Sequence, residues 1–253
     1  MIRQRLQQGV AARLRTLLRF EPQDASWNLA EWERHSNAWA FGLAELGLGP
    51  SARVLSWVDP VHTAELAAVL IGSAKLGAEL RSVDAELRQL DAASEEGLRR
   101  LLAELRPDLL VFSPHQPAGG GRREELVRAA VGADGPLLVH TGFYSKPGMA
   151  RFRDVMLYRS RACSDLPELD CDERLRAAAG EVAPGVEEVT FNGPFDDYPR
   201  LLGALVTAAL CGVFTRLNPA GCAPRAAVPL QARTLLELEG AGPAQLGGPR
   251  LQN

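Results

Sequence analysis

The apolar positions change rhythm along the chain, and each change predicts an element. Asn28 stands where an N-cap should, ahead of a 3.6-residue rhythm that includes Trp32, Trp39 and Leu43. That rhythm predicts a helix from about Leu29 to Leu46, ended by Gly47-Leu48-Gly49-Pro50. Arg53 to Val58 is a short apolar strand, Asp59-Pro60 a turn, and Thr63 to Leu76 a helix closed by Gly77. Glu95 to Leu105 is the next helix. Beyond Pro107, Leu109 to Phe112 is a continuous apolar run suited to a buried parallel strand. A helix (Arg123 to Val131) and a strand (Leu137 to His140) follow, then a polar loop (Thr141 to Gly148) and a short helix (Arg151 to Tyr158). Cys163 to Pro184 is polar, with a modest helix near Glu173 to Ala179. Val186 to Phe191 reads as a strand and Tyr198 to Val213 as a helix. Helix and strand alternate, which predicts an α/β fold with a largely parallel sheet flanked by helices.

The two ends have a different texture. Ile2, Leu6, Val10, Leu14 and Leu17 recur at spacings of three or four, and Arg3, Arg5, Arg13, Arg15 and Arg19 occur with no acidic residue before Glu21. An amphipathic helix over residues 1–24, with its linker, is the expectation. An Arg-rich, acid-free stripe is the pattern of a mitochondrial targeting segment or of a helix on an anionic membrane surface; an ordinary surface helix has the same periodicity. The last stretch, 218–253, is rich in Pro and Gly and reads as an extended arm, with helical rhythm at Leu230 to Leu238 alone. Between them, 25–217 is the α/β domain.

Composition narrows the classes. At 253 residues, with 46% hydrophobic and 23% charged positions, the chain can bury a full core. A net charge of −3 argues against nucleic acid as the main partner. The most apolar stretch, Leu201 to Phe214, is shorter than the roughly 20 residues a membrane span requires and reads as a buried helix. Cys163, Cys171, Cys211 and Cys222 match no zinc spacing; free thiols or a Cys163–Cys171 disulfide remain open. His35, His62, His115 and His140 are scattered, and His62-x-x-Glu65 is a weak metal pair. Ser145 sits in a loop with no base nearby in sequence. Asp170, Asp172 and Glu173, like Asp196 and Asp197, read as solvated loop charges.

Several short motifs occur in a recognisable order. Ala40-Phe41-Gly42-Leu43-Ala44-Glu45-Leu46-Gly47-Leu48 precedes Ser51-Ala52-Arg53-Val54, followed by Lys75-Leu76-Gly77-Ala78, Pro107-Asp108-Leu109-Leu110-Val111 and Gly148-Met149-Ala150-Arg151-Phe152-Arg153-Asp154-Val155-Met156. This order resembles the opening subdomain of the adenylate-forming superfamily, the acyl-CoA synthetases and luciferases, from Trp27 to about Tyr158. Members carry a loop of pattern T-S-G-T-T-G-x-P-K-G around the phosphates of ATP. Aligning its Pro-Lys on Pro199-Arg200 puts Asn192, Gly193, Pro194, Phe195, Asp196 and Asp197 where Thr, Ser and Gly belong. Pro194 has no N–H, Phe195 is bulky, and the two carboxylates repel a polyphosphate. The sequence also lacks the family's Y-G-x-T-E segment, ribose-binding aspartate and lid lysine.

The resemblance therefore implies an acyl-CoA synthetase-like, AMP-binding fold with a degenerate phosphate loop, a truncated pseudoenzyme with no catalytic residue, cofactor or metal of its own. The expectation is a non-catalytic accessory subunit of a mitochondrial inner-membrane complex, such as the respiratory chain or ATP synthase. It would be peripheral to the membrane, bound to other protein subunits and in contact with lipid through Ile2, Leu6, Val10, Leu14 and Leu17. The alternative is an acyl-activating enzyme fragment, or a module binding CoA or an acyl ligand.

Overall fold

The computed structural model describes residues 15–89, 94–114, 122–157, 171–180, 185–218 and 235–237. In chain order the elements are β1 (Thr16–Phe20), β2 (Ala25–Asn28), α1 (Leu29–Glu45), β3 (Arg53–Trp57), α2 (Thr63–Leu76), β4 (Glu79–Ser82), α3 (Val83–Gln89), α4 (Glu95–Leu105), β5 (Leu109–Phe112) and α5 (Arg122–Ala130). They continue with β6 (Leu137–His140), β7 (Ala150–Arg151), α6 (Phe152–Leu157), α7 (Cys171–Ala178), β8 (Glu188–Phe191), α8 (Tyr198–Cys211), β9 (Phe214–Leu217) and β10 (Leu235–Glu237). The fold is α/β with mostly parallel pairing, as the alternation of helix and strand predicts. The described strands form two sheets, and the chain falls into two compact units, 36–171 and 1–35 with 172–253.

In the unit of residues 36–171 the strand order is β4-β3-β5-β6-β7, all parallel. Leu109, Leu110, Val111 and Phe112 of β5 are all fully buried, as a central parallel strand between two helical layers requires. One core layer joins Leu55, Trp57, Leu110 and Phe112 to Val83 and Leu87 of α3, Leu98, Leu101 and Leu102 of α4, and Val127 of α5. Helix α2 is buried nearly all round, from Leu66 through Leu76, and ends on Gly77 at φ 79°. A Cβ on Gly72 would lie 2.6 Å from the Ser36 carbonyl oxygen and 2.8 Å from the Trp39 Cβ. Glycine is required there because α1 and α2 pack backbone to side chain with no room for a methyl. Trp39 Nε1 then donates to Ser73 Oγ at 3.1 Å, and Lys75 Nζ to Asn37 Oδ1 at 2.7 Å.

In the other unit the order is β10-β8-β9-β1-β2, with β2 antiparallel to β1. Phe20 and Trp27 pack edge to face at 4.8 Å. Arg216 on β9 reaches Glu21 Oε1 at 3.1 Å and also pairs with Glu188, tying β8, β9 and the β1–β2 turn together. Asn28 and Glu31 form a reciprocal cap on α1: Asn28 Oδ1 accepts from Glu31 N, and Glu31 Oε2 from Asn28 N, both at 2.9 Å. Trp32 Nε1 donates to the Leu205 carbonyl on α8 at 3.2 Å.

Three expectations are corrected here. The N-terminal helix cannot extend to Leu17, because Thr16–Phe20 is strand β1 and Leu17 is buried within its own unit. Leu17 is therefore no membrane contact; Ile2, Leu6, Val10 and Leu14 lie outside the described residues. Glu21–Gln23, expected as linker, is a 3-10 turn with Asp24 in the left-handed region at φ 53°, and it joins β1 to β2. Within the expected arm, Leu235–Glu237 is not helical but a strand parallel to β8. The rest of 219–253 lies outside the described residues.

Candidate functional site

The segment aligned on the phosphate loop joins the end of strand β8 to the N-terminus of helix α8, the topological position where such a loop belongs. Its local structure removes what a polyphosphate needs. Asn192 leaves the strand with Oδ1 accepting from Asn218 Nδ2 at 3.3 Å, while Asn218 N donates to the Phe191 carbonyl at 3.0 Å. Gly193 sits on the Phe191 ring: a Cβ there would lie 2.8 Å from Phe191 Cζ. Pro194 has no N–H, and its carbonyl accepts from Asp197 N at 3.2 Å in a tight turn. Phe195 turns inward, 6% exposed, and meets Phe191 edge to face at 5.8 Å. The space under the loop is thus occupied by two aromatic rings.

Asp197 caps α8. Its Oδ1 accepts from Arg200 N at 3.4 Å, its carbonyl accepts from Leu201 N at 3.0 Å, and Arg200 Nη1 lies 3.8 Å from Oδ2. A carboxylate already satisfies the helix N-terminus that would otherwise attract a phosphate. Pro199, in the first turn of α8, removes a second N–H. No residue from Asn192 to Arg200 has positive φ, so the alternating backbone that makes an anion-binding nest is absent. Along this loop Asn192 and Gly193 turn the chain, Phe195 fills, Asp197 caps, and Arg200 pairs with Asp197.

A second constellation lies at the carboxyl ends of β3, β5 and β6, around the point where strand order reverses from β4 on one side of β3 to β5 on the other. Open parallel sheets bind ligands at such crevices. Here Arg123 of α5 occupies it, 5% exposed, with its guanidinium 4.7 Å over the Trp57 ring. Arg123 Nη1 donates to the carbonyls of Trp57 at 3.3 Å and Ser113 at 3.4 Å, and stands 3.9 Å from Asp59 Oδ2. Ser113 Oγ accepts from Asp59 N at 2.9 Å and from Thr141 Oγ1 at 3.1 Å. Nearby, His140 is fully buried with neither ring nitrogen hydrogen-bonded. Burial, reinforced by the Lys146 and Arg151 charges and opposed by Glu124 and Asp154, holds its pKa below the usual histidine value.

Sequence reasoning passed over Arg123, Ser113 and Asp59. Their signal was positional: each stands just after a strand, or on the helix following one, at the switch point of a parallel sheet. The other candidates are dispersed. His35 stacks on Trp27 at 4.7 Å, and His62 Nδ1 lies 3.8 Å from Glu65 Oε1. Among the described residues no group of His, Cys, Asp or Glu is arranged to hold a metal ion. Lys146 pairs with Glu124, whose carboxyl it holds below the ordinary range. Cys211 is an exposed free thiol; His115, Cys163, Asp170 and Cys222 lie outside the described residues, as do the side chains of Cys171, Asp172 and Glu173.

No family model and no curated protein sequence matches the chain. Solved structures do. A benzoate CoA ligase from Burkholderia xenovorans superposes with a TM-score of 0.57 at 16% identity, covering 87% of this chain and 45% of its own. The luciferase-like enzyme of the mealworm Zophobas morio gives 0.55 at 14% identity, covering 84% and 52%. A fatty acyl CoA synthetase from Mycobacterium tuberculosis gives 0.54 at 17%, covering 88% and 44%. The chain spans about half the length of these enzymes. Its fold is that of the adenylate-forming, acyl-CoA synthetase-like enzymes.

Proposed function

We propose that this chain is a non-catalytic module of the acyl-activating class, which binds an acyl or CoA-type ligand without engaging ATP at its β8–α8 loop. The observation that carries this reading is the loop itself, where Phe195 fills the cradle and Asp197 holds the helix N-terminus. Adenylation requires the loop to grip a triphosphate, and every feature that would do so is replaced by packing or by negative charge. The fold supports the acyl-activating class. This reading replaces the inner-membrane accessory subunit, whose main sequence support was an apolar stripe expected to run through Leu17, where the structure has strand β1.

Isothermal titration of the full chain with ATP, AMP, CoA and a panel of acyl-CoA thioesters tests it. The expected result is no heat for ATP or AMP at submillimolar concentration, binding of CoA or an acyl-CoA, and no carboxylate-dependent pyrophosphate exchange. Micromolar ATP binding that is lost in Arg200→Ala overturns the proposal.

A further inference from the structure

The three most exposed large apolar side chains among the described residues belong to one stretch: Phe143 (69%), Tyr144 (79%) and Leu157 (66%). They form one patch in the unit of residues 36–171. Phe143 and Tyr144 pack edge to face at 5.4 Å in the β6–β7 loop, and the guanidinium of Arg153 on α6 lies 5.3 Å over the Phe143 ring. Leu157 is one helical turn beyond Arg153 on α6, so it continues the same surface. Leaving two aromatic rings and a leucine in water costs free energy that nothing in the fold's own packing requires.

Charge and shape indicate what covers the patch. Arg128 Nη1 donates to the Pro147 carbonyl and Arg151 Nη1 to the Phe143 carbonyl, both at 3.3 Å, and Lys146 is in the same loop. Arg128 and Lys146 share the carboxylate of Glu124 and Arg151 pairs with Asp154, so with Arg153 the loop and its flanks carry two positive charges in excess. This surface is positive on a chain whose net charge is −3. Rings exposed to 69% and 79% stand on a projecting tip and do not line a concave groove. A groove suits a peptide, whereas a projecting aromatic tip ringed by cations suits an interface that is apolar beneath and anionic at its surface.

We propose that the β6–β7 loop is a membrane-docking tip, inserting Phe143 and Tyr144 below the headgroups of an anionic lipid surface while Arg128 and Arg153, which carry the excess positive charge, face the phosphates. The inference does not depend on the reading given for the β8–α8 loop.

The four native tryptophans, Trp27, Trp32, Trp39 and Trp57, are all buried, so Tyr144→Trp places an exposed indole at the tip. The full-length variant is mixed with phosphatidylserine-containing vesicles, with or without brominated acyl chains, and with neutral phosphatidylcholine vesicles. The expected result is a blue-shifted emission quenched by the brominated lipid, with no response to neutral vesicles. Arg153→Ser should weaken binding roughly fivefold, the usual effect of one cation near an anionic surface, and Phe143→Ser/Tyr144→Ser should weaken it at least tenfold with the fold unchanged by circular dichroism. Vesicle binding without quenching at residue 144 overturns the proposal by placing the contact elsewhere. No binding at low salt overturns it outright. A dimer in the absence of lipid that dissociates in Phe143→Ser/Tyr144→Ser also overturns it, assigning the patch to a second copy of the chain.

Discussion

Truncating Phe195 to alanine separates a filled loop from a cradle that is merely closed. The ring is 6% exposed and packs on Phe191 at 5.8 Å, so the substitution removes a buried aromatic side chain and leaves a void beneath Gly193 and Pro194. Such truncations cost about 3–5 kcal/mol, of which the edge-to-face pair accounts for about 0.5–1.5 kcal/mol. Urea unfolding should therefore show a lower midpoint with the slope unchanged. Nucleotide binding should not appear even with the ring gone, because Pro194 still lacks an N–H and Asp197 still caps α8. A ligand at 100 times its dissociation constant stabilises a protein by about 2.7 kcal/mol, so 1 mM ATP reveals any site of about 10 μM or tighter. A loss below about 1 kcal/mol, or a stabilisation by ATP in the variant, would refute the reasoning: the first means that the ring is not packed, the second that it was only a gate.

Three further outcomes follow from the geometry. Because the folded-state pKa of His140 is depressed, the unfolded state binds the extra proton, so stability should be complete above the unfolded value of 6.5 and fall as pH drops below it; His140→Leu should flatten that slope between pH 7.5 and 5, measured by urea unfolding. Gly72→Ala should destabilise by about 1–3 kcal/mol despite the higher helix propensity of alanine, since its methyl meets the Ser36 carbonyl; a neutral or stabilising result in thermal unfolding would mean that α1 and α2 separate easily. Arg123→Met should cost about 3–5 kcal/mol by leaving the buried Asp59 carboxylate without its cation, and Asp59→Asn in that background should recover part of the loss in a double-mutant cycle.

Much of the α/β core was legible because its signals are local. Thr63–Leu76, Glu95–Leu105, Leu109–Phe112 and Leu137–His140 take the bounds that periodicity, Gly77 and Pro107 indicate. What escaped was decided by distant partners. Thr16–Phe20 carries Leu17 and Arg19 of an apparent helical stripe, yet it is a strand because Leu18 pairs with Trp27 on one side and Thr215 on the other. Phe214–Leu217 and Leu235–Glu237 are too short to show a period, and they are strands because β8 lies beside both. The degenerate loop was legible residue by residue, since Pro, Phe and Asp act through their own chemistry. The Arg123–Asp59–Ser113 cluster was not, because it gathers the ends of separate strands, and sequence spacing says nothing about which ends meet.

The sheet formed by β10, β8, β9, β1 and β2 draws its strands from both ends of the described chain, and this sets a timetable for synthesis. Arg216 and Glu21, which join β9 to the β1–β2 turn, stand 195 positions apart. At roughly 5–20 residues per second, about 10–40 s pass between the emergence of β1 and that of β9, its parallel partner. Over that interval residues 36–171 have all been made and can close their own sheet, whereas β1 has β2 on one side and lacks its parallel partner β9 on the other. Nascent chains stalled after residue 200 should accordingly resist protease across 36–171 and be cut near β1. From about residue 171 until β9 is complete at Leu217 the newborn protein is half folded, with β1 and β2 in need of shelter until β9 arrives.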